Sequence, residues 1–146
     1  MKVQAESPGK VKQAVPFLWV NDIERSVQYY EALGFEMSNK WIQEDKLRWC
    51  WLQIDAAAIM LQEFWKEGQH ANLSKHALGE GVAVCFMCVD ALAVYHAALL
   101  KQIAVQEPFV GNGMWVTAFT DPDNYKIFFE SVTDVAEETK YSAWNK

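Results

Sequence analysis

Several things are scarce in this chain of 146 residues, and each scarcity closes off a class of function. No apolar run reaches the length of about 20 residues that a membrane-spanning helix needs. No basic, apolar leader opens the sequence. The expectation is therefore a cytoplasmic protein with no membrane partner. Basic residues are outnumbered, 13 Lys and Arg against 19 Asp and Glu, for a net charge of −6. Such a surface repels phosphate backbones, so nucleic acid is not an expected partner. Cysteine is limited to Cys50, Cys85 and Cys88, an odd number that builds no disulfide framework. Cys85-Phe-Met-Cys88 has the spacing of a zinc or redox pair, but it lies inside an apolar strand-like run with no second pair, so neither role is expected. Of the three histidines, His70 and His76 fall in a polar stretch and His96 in a helix beside Tyr95 and Leu99. No spacing aims a base at a serine or cysteine nucleophile.

What is abundant is apolar and aromatic. Half the residues are apolar, with seven Trp, eight Phe and five Tyr. That is more tryptophan than one core of this size needs, and the surplus is expected to line a cavity or an interface. There a large rigid ring binds at little entropic cost.

The hydrophobic pattern divides the chain into a loose arm over 1–11, a unit over 12–66, a polar linker over 67–80, a second unit over 81–132 and a charged tail over 133–146. In the first unit, 15–20 reads as a strand. Asn21-Asp22-Ile23-Glu24 then supplies an N-cap. Ile23, Val27, Tyr30 and Leu33 recur at helical spacing until Gly34 ends the helix. Strands follow over 35–42, 47–54 and 57–65. In the second unit, 81–89 is a strand, Asp90 caps a helix running from Ala91 to about Gln102, and strands follow over 103–106, 114–119 and 126–131. Val20-Asn-Asp22 and Cys88-Val-Asp90 each end a strand and cap a helix, the mark of an internal repeat. The fold class is α+β, built from two βαβββ units.

Two such units, an Asp after the first strand, Tyr29-Tyr30 followed by Leu33-Gly34-Phe35, and the turn Asp121-Pro-Asp-Asn-Tyr125 together resemble the vicinal oxygen chelate superfamily. That group includes glyoxalase I, extradiol dioxygenases, fosfomycin resistance enzymes and bleomycin resistance proteins. The resemblance spans about residues 12–132. It implies mixed sheets curled around a cleft, often completed in a homodimer by exchange of units. It also implies, for the enzymes of the group, a divalent metal held by His, Gln or Glu from four strands. Counted from the landmarks, those positions are Val15, Met60, Val84 and Phe128. All four are apolar and offer a metal nothing. No metal or other cofactor is expected, and the expectation leans from enzyme towards binding protein.

Side chains two apart on a strand share a face, which extends each position into a surface. Phe17 and Trp19 go with Val15, Gln62 with Met60, Phe86 with Val84, and Glu130 with Phe128. Trp49 and Trp51 are assigned inward because Cys50, Leu52 and Ile54 suit the packed side. Trp115 and Thr117 complete the set. The expected ligand site is therefore Phe17, Trp19, Trp49, Trp51, Met60, Gln62, Phe86, Trp115, Thr117, Phe128 and Glu130. It suits a small aromatic molecule, possibly cationic, held by ring stacking and one carboxylate. The resemblance is nearest in kind to the metal-free bleomycin resistance proteins. The competing expectation is a metal-dependent lyase, isomerase or dioxygenase whose ligands have moved to Gln13, Gln62 and Glu130.

Overall fold

A computed structural model describes residues 7–65, 67–68 and 78–145. The elements are β1 (Phe17–Val20), α1 (Ile23–Ala32), β2 (Glu36–Gln43), β3 (Lys46–Ile54), β4 (Ala57–Glu63), β5 (Ala83–Met87), α2 (Ala91–Leu100), β6 (Phe109–Gly111), β7 (Met114–Thr120), β8 (Lys126–Val132) and α3 (Tyr141–Trp144). They form two four-stranded mixed sheets with matching orders, β1-β4-β3-β2 and β5-β8-β7-β6. In each, the first strand runs parallel to the last and the remaining pairs are antiparallel. This is the repeated βαβββ unit, and the chain is α+β. Most of the polar linker, with His70 and His76, lies outside the described residues.

Both helices start as their caps require. Asp22 accepts from the backbone N–H of Arg25 at 3.2 Å, and Asp90 from that of Ala93 at 3.1 Å. The orphan N–H of Ile23 is taken by Glu63, reaching across from β4 at 3.1 Å. α1 stops where Gly34 adopts φ +108°, a conformation open to glycine. Ile23, Val27 and Tyr30 bury one stripe of α1 against Leu18, Val20, Cys50, Leu52, Ile59 and Leu61 of the first sheet. Phe86, Phe119, Ile127 and Phe129 of the second sheet continue the same core, so the two units share their main core.

The Asp-Pro-Asp-Asn-Tyr turn clasps the two units together. Asp121 accepts from the Tyr30 hydroxyl at 2.6 Å and from the backbone N–H groups of Asp123 and Tyr125 at 2.8 and 2.9 Å. Asp123 accepts from the Asn21 amide at 2.7 Å and from the Ser26 hydroxyl at 3.4 Å. The Tyr125 hydroxyl donates to the Trp19 carbonyl at 2.8 Å. Burial is the main cause that raises the Asp121 carboxyl above its ordinary range, against the pull of its hydrogen-bond donors.

One expected strand is absent. Residues 103–106 run as irregular chain, tucking Ile103 and Val105 against the core. The second strand of the second unit forms instead at Phe109–Gly111, beyond Pro108, and turns back through Asn112-Gly113. Both turn residues have positive φ, 53° and 74°, the conformation that an Asn-Gly hairpin selects. That dipeptide was the signal the hydrophobic pattern passed over. The tail packs beside this hairpin. Glu137 accepts from the backbone N–H groups of Asn112 and Gly113, Val110 donates to the Thr139 carbonyl at 2.9 Å, and Tyr141 donates to the Pro108 carbonyl at 2.9 Å.

Candidate ligand-binding face

Directly paired residues on neighbouring strands share a face, so the register sorts the expected site residues. In the first sheet Phe17 pairs with Met60 and Trp19 with Gln62; Gln62 and Met60 in turn pair with Trp49 and Trp51. Trp41 lies opposite Trp49 on β2. The helix face is filled by Cys50, Leu52, Ile59 and Leu61, all fully buried. Phe17, Trp19, Trp49, Trp51, Met60 and Gln62 therefore stand together on the face that α1 leaves uncovered. Phe17 and Trp19, on the edge strand β1, remain 45% and 38% exposed. The Trp51 indole N–H donates to the Gln53 side-chain carbonyl at 2.8 Å, which fixes its ring.

The second sheet corrects the expectation. Phe128 and Glu130 pair with Ala118 and Val116 on β7 and with Cys85 and Met87 on β5, on the face away from α2. Trp115 and Thr117 pair with Ser131 and Phe129 on the opposite face. The Thr117 hydroxyl donates to the Ala91 carbonyl at 2.7 Å, and Trp115 is only 5% exposed in a small core with Ala91 and Val110. Phe86 is likewise on the helix side, stacked on Phe129 with ring centroids 5.4 Å apart. These three residues do not join Phe128 and Glu130. The turn explains the reversal. Asp55-Ala56 closes the β3–β4 hairpin with two residues, whereas 121–125 closes β7–β8 with five. An odd difference flips every side chain of one strand relative to its counterpart.

The same register moves one family position. Val84 pairs with Ile127 and faces the helix side; Ala83, seven residues before Asp90 as Val15 is before Asp22, pairs with Lys126 on the other face. Alanine is no better a ligand than valine. The donors nearest these positions, Gln62 and Glu130, stand on different sheets. Among the described residues no group of three or more His, Cys, Asp or Glu side chains converges. The side chains at these positions do not fit the divalent ion that the resemblance implies for the family's enzymes. Cys85 is exposed, yet its thiol is pushed up to about 11 by desolvation and by its hydrogen bond to Glu130, which makes it a poor nucleophile. His96 is exposed on α2, 3.2 Å from the Tyr141 hydroxyl.

Three cavities border these faces. One of about 280 Å³ is lined by Phe17, Trp19, Gln62 and Tyr125, so the second unit contributes to it. Another, about 540 Å³, lies at the end of the first sheet against Trp41, Arg48 and Gln62. The third, about 490 Å³, lies between the units, with Gln13, Val15, Ala58, Cys85 and Phe86 among its walls. The sequence missed the second of these because Trp41 sits in a strand whose other residues, Met37 aside, are polar or exposed.

Comparison with known proteins places this arrangement. The Glyoxalase/Bleomycin resistance protein/Dioxygenase superfamily matches residues 10–129. Among curated protein sequences none matches. Among solved structures, a bleomycin resistance determinant encoded on transposon Tn5 is similar at 20% identity and a TM-score of 0.61, over 86% of this chain and 100% of that one. A bleomycin-binding protein complexed with bleomycin is similar at 20% identity and a TM-score of 0.57, over 85% and 99%. The fosfomycin resistance protein of Listeria monocytogenes shares 11% identity at a TM-score of 0.61, over 85% and 95%. At these identities the likeness is one of fold.

Proposed function

The chain belongs to the Glyoxalase/Bleomycin resistance protein/Dioxygenase superfamily, and from that premise we propose that it binds and sequesters a small aromatic molecule without metal chemistry. One observation carries the reading: the uncovered face of the first sheet presents Phe17, Trp19, Trp49 and Trp51 together, with Phe17 and Trp19 well exposed. Exposed aromatic area of this kind seeks a ligand or a partner. The cavity shared by Phe17, Trp19, Gln62 and Tyr125 gives the ligand a concave start. Phe128 and Glu130 extend the site from the second sheet. A second copy of the chain, paired as a homodimer, would close the rest. The apolar residues at the family's ligand positions support binding without catalysis. The three free thiols suit a reducing compartment such as the cytoplasm.

Native mass spectrometry of the purified, untagged protein tests this. A dimer free of divalent metal, with or without an organic adduct, is the expected result. A stoichiometric divalent ion would overturn it. Titration with bleomycin, the ligand held by a structural relative, then asks whether this chain takes the same kind of molecule.

A further inference from the structure

We infer that the ligand is an uncharged, planar heteroaromatic ring system bearing a carbonyl, and that the cavity at the end of the first sheet reads it. This deepens the reading above and rests on it. The cavity holds about 540 Å³, within the range of small-molecule sites. Its walls include Trp41, Gln43, Arg48, Gln62 and Glu63. Trp41 pairs with Trp49 and Ile42 with Leu47, which leaves Arg48 as the extra residue of a β-bulge. Bulges re-aim a side chain beside a site.

The guanidinium of Arg48 is under-used. Glu63, the carboxylate beside it, is already committed to Lys46 at 3.0 Å and to the backbone N–H of Ile23 at 3.1 Å. Arg48 Nη1 reaches it only at 4.0 Å. Arg48 Nε is buried and has no hydrogen-bond partner among the described residues. Nε lies out of a ligand's reach, but the side chain as a whole is 30% exposed and lines the cavity, and the carboxylate nearest Nη1 is 4.0 Å away, so a ligand can bring the guanidinium a closer acceptor.

Charge decides which acceptor. An anionic ligand would meet Glu63 within the cavity and Glu44 and Glu67 at its exposed rim. A cationic one would sit against Arg48. A neutral carbonyl accepts from the guanidinium and offends neither. Gln43 and Gln62 each offer one acceptor and two donors, which suits the mixed edge of a heterocycle. Trp41, half exposed, supplies a face for the ring.

Fluorescence titration with two three-ring probes tests the inference: lumichrome, neutral and carbonyl-bearing, and 9-aminoacridine, a cation. Lumichrome is expected to bind, and to bind about tenfold or more weakly in Arg48→Met. Arg48→Lys keeps the charge and loses the planar guanidinium donors, so it should weaken lumichrome nearly as much. It also guards against a folding defect peculiar to Met. Unchanged lumichrome affinity in both variants, or tighter binding of 9-aminoacridine, would overturn the inference. Binding of 9-aminoacridine that is lost in Trp51→Ala and indifferent to Arg48 would sink the inference while leaving the binding face in place. Failure of both probes to bind would count against both.

Discussion

In the first unit Trp19, Trp49 and Trp51 stand on the face that α1 leaves uncovered, while Cys50, Leu52, Ile59 and Leu61 fill the side under the helix. In the second unit the arrangement is reversed. Trp115 lies on the helix side, and the face away from α2 carries Cys85, Met87, Val116, Ala118, Phe128 and Glu130. The tail completes the burial of Trp115, with Tyr141 and Trp144 at ring distances of 6.3 and 5.4 Å. One topology, used twice, thus puts its tryptophans to two ends. A ring buried against a helix stabilises the fold; a ring left on an uncovered face is available to a ligand.

The comparison breaks most visibly at Trp115. Trp115→Ala should destabilise the protein by about 3–5 kcal/mol, the usual range for a buried Trp, as followed by urea unfolding. Its effect on aromatic-ligand affinity should be negligible once the variant is held at a temperature where it is folded. The next effect concerns the clasp that makes one core of two units. Tyr30→Phe removes the donor to Asp121 and leaves a buried carboxylate less satisfied, a loss of about 1–3 kcal/mol by the same assay. Trp51→Ala should do the opposite of Trp115→Ala, costing more than about 1 kcal/mol in ligand binding measured by calorimetry. Its ring is half-buried, so stability should move less than for Trp115.

A smaller effect should appear with pH. Folding raises the Asp121 carboxyl, so the folded state holds that proton to higher pH than the unfolded chain does. The stabilisation is fully present below the ordinary carboxylate range and is lost as pH rises through the raised folded value. Melting temperature followed against pH should fall over that window in the parent protein, and Asp121→Asn should flatten the fall. An unchanged fall in the variant would show that Asp121 does not set the dependence.

Much of the architecture was legible because local chemistry is explicit. Asp22 and Asp90 cap helices, Gly34 ends one, and both units repeat the same order of elements. What failed did so for identifiable reasons. Residues 103–106 read as a strand because Ile103 and Val105 alternate, yet their burial comes from packing irregular chain on the core. The true strand lay beside an Asn-Gly turn. Trp115 and Thr117 were placed on the wrong face because alternation fixes which residues share a face and leaves open which way it points. Pairing across the five-residue turn, which sets Ala118 opposite Phe128, would have decided it. In the first sheet Cys50 and Leu52 are plainly core residues, and they lie on the helix side. The bulge at Arg48 was not legible, because a bulge leaves no mark in an alternating pattern.

The most direct test uses the indole N–H signals of the seven tryptophans in a nitrogen-15 correlation spectrum, each assigned by single substitution and followed as lumichrome is added. The account predicts that Trp41, Trp49, Trp51 and Trp19 shift in a saturable way, while Trp115 and Trp144 stay where they are. Movement led by Trp115 and Trp144, with the first-sheet signals unmoved, would contradict it.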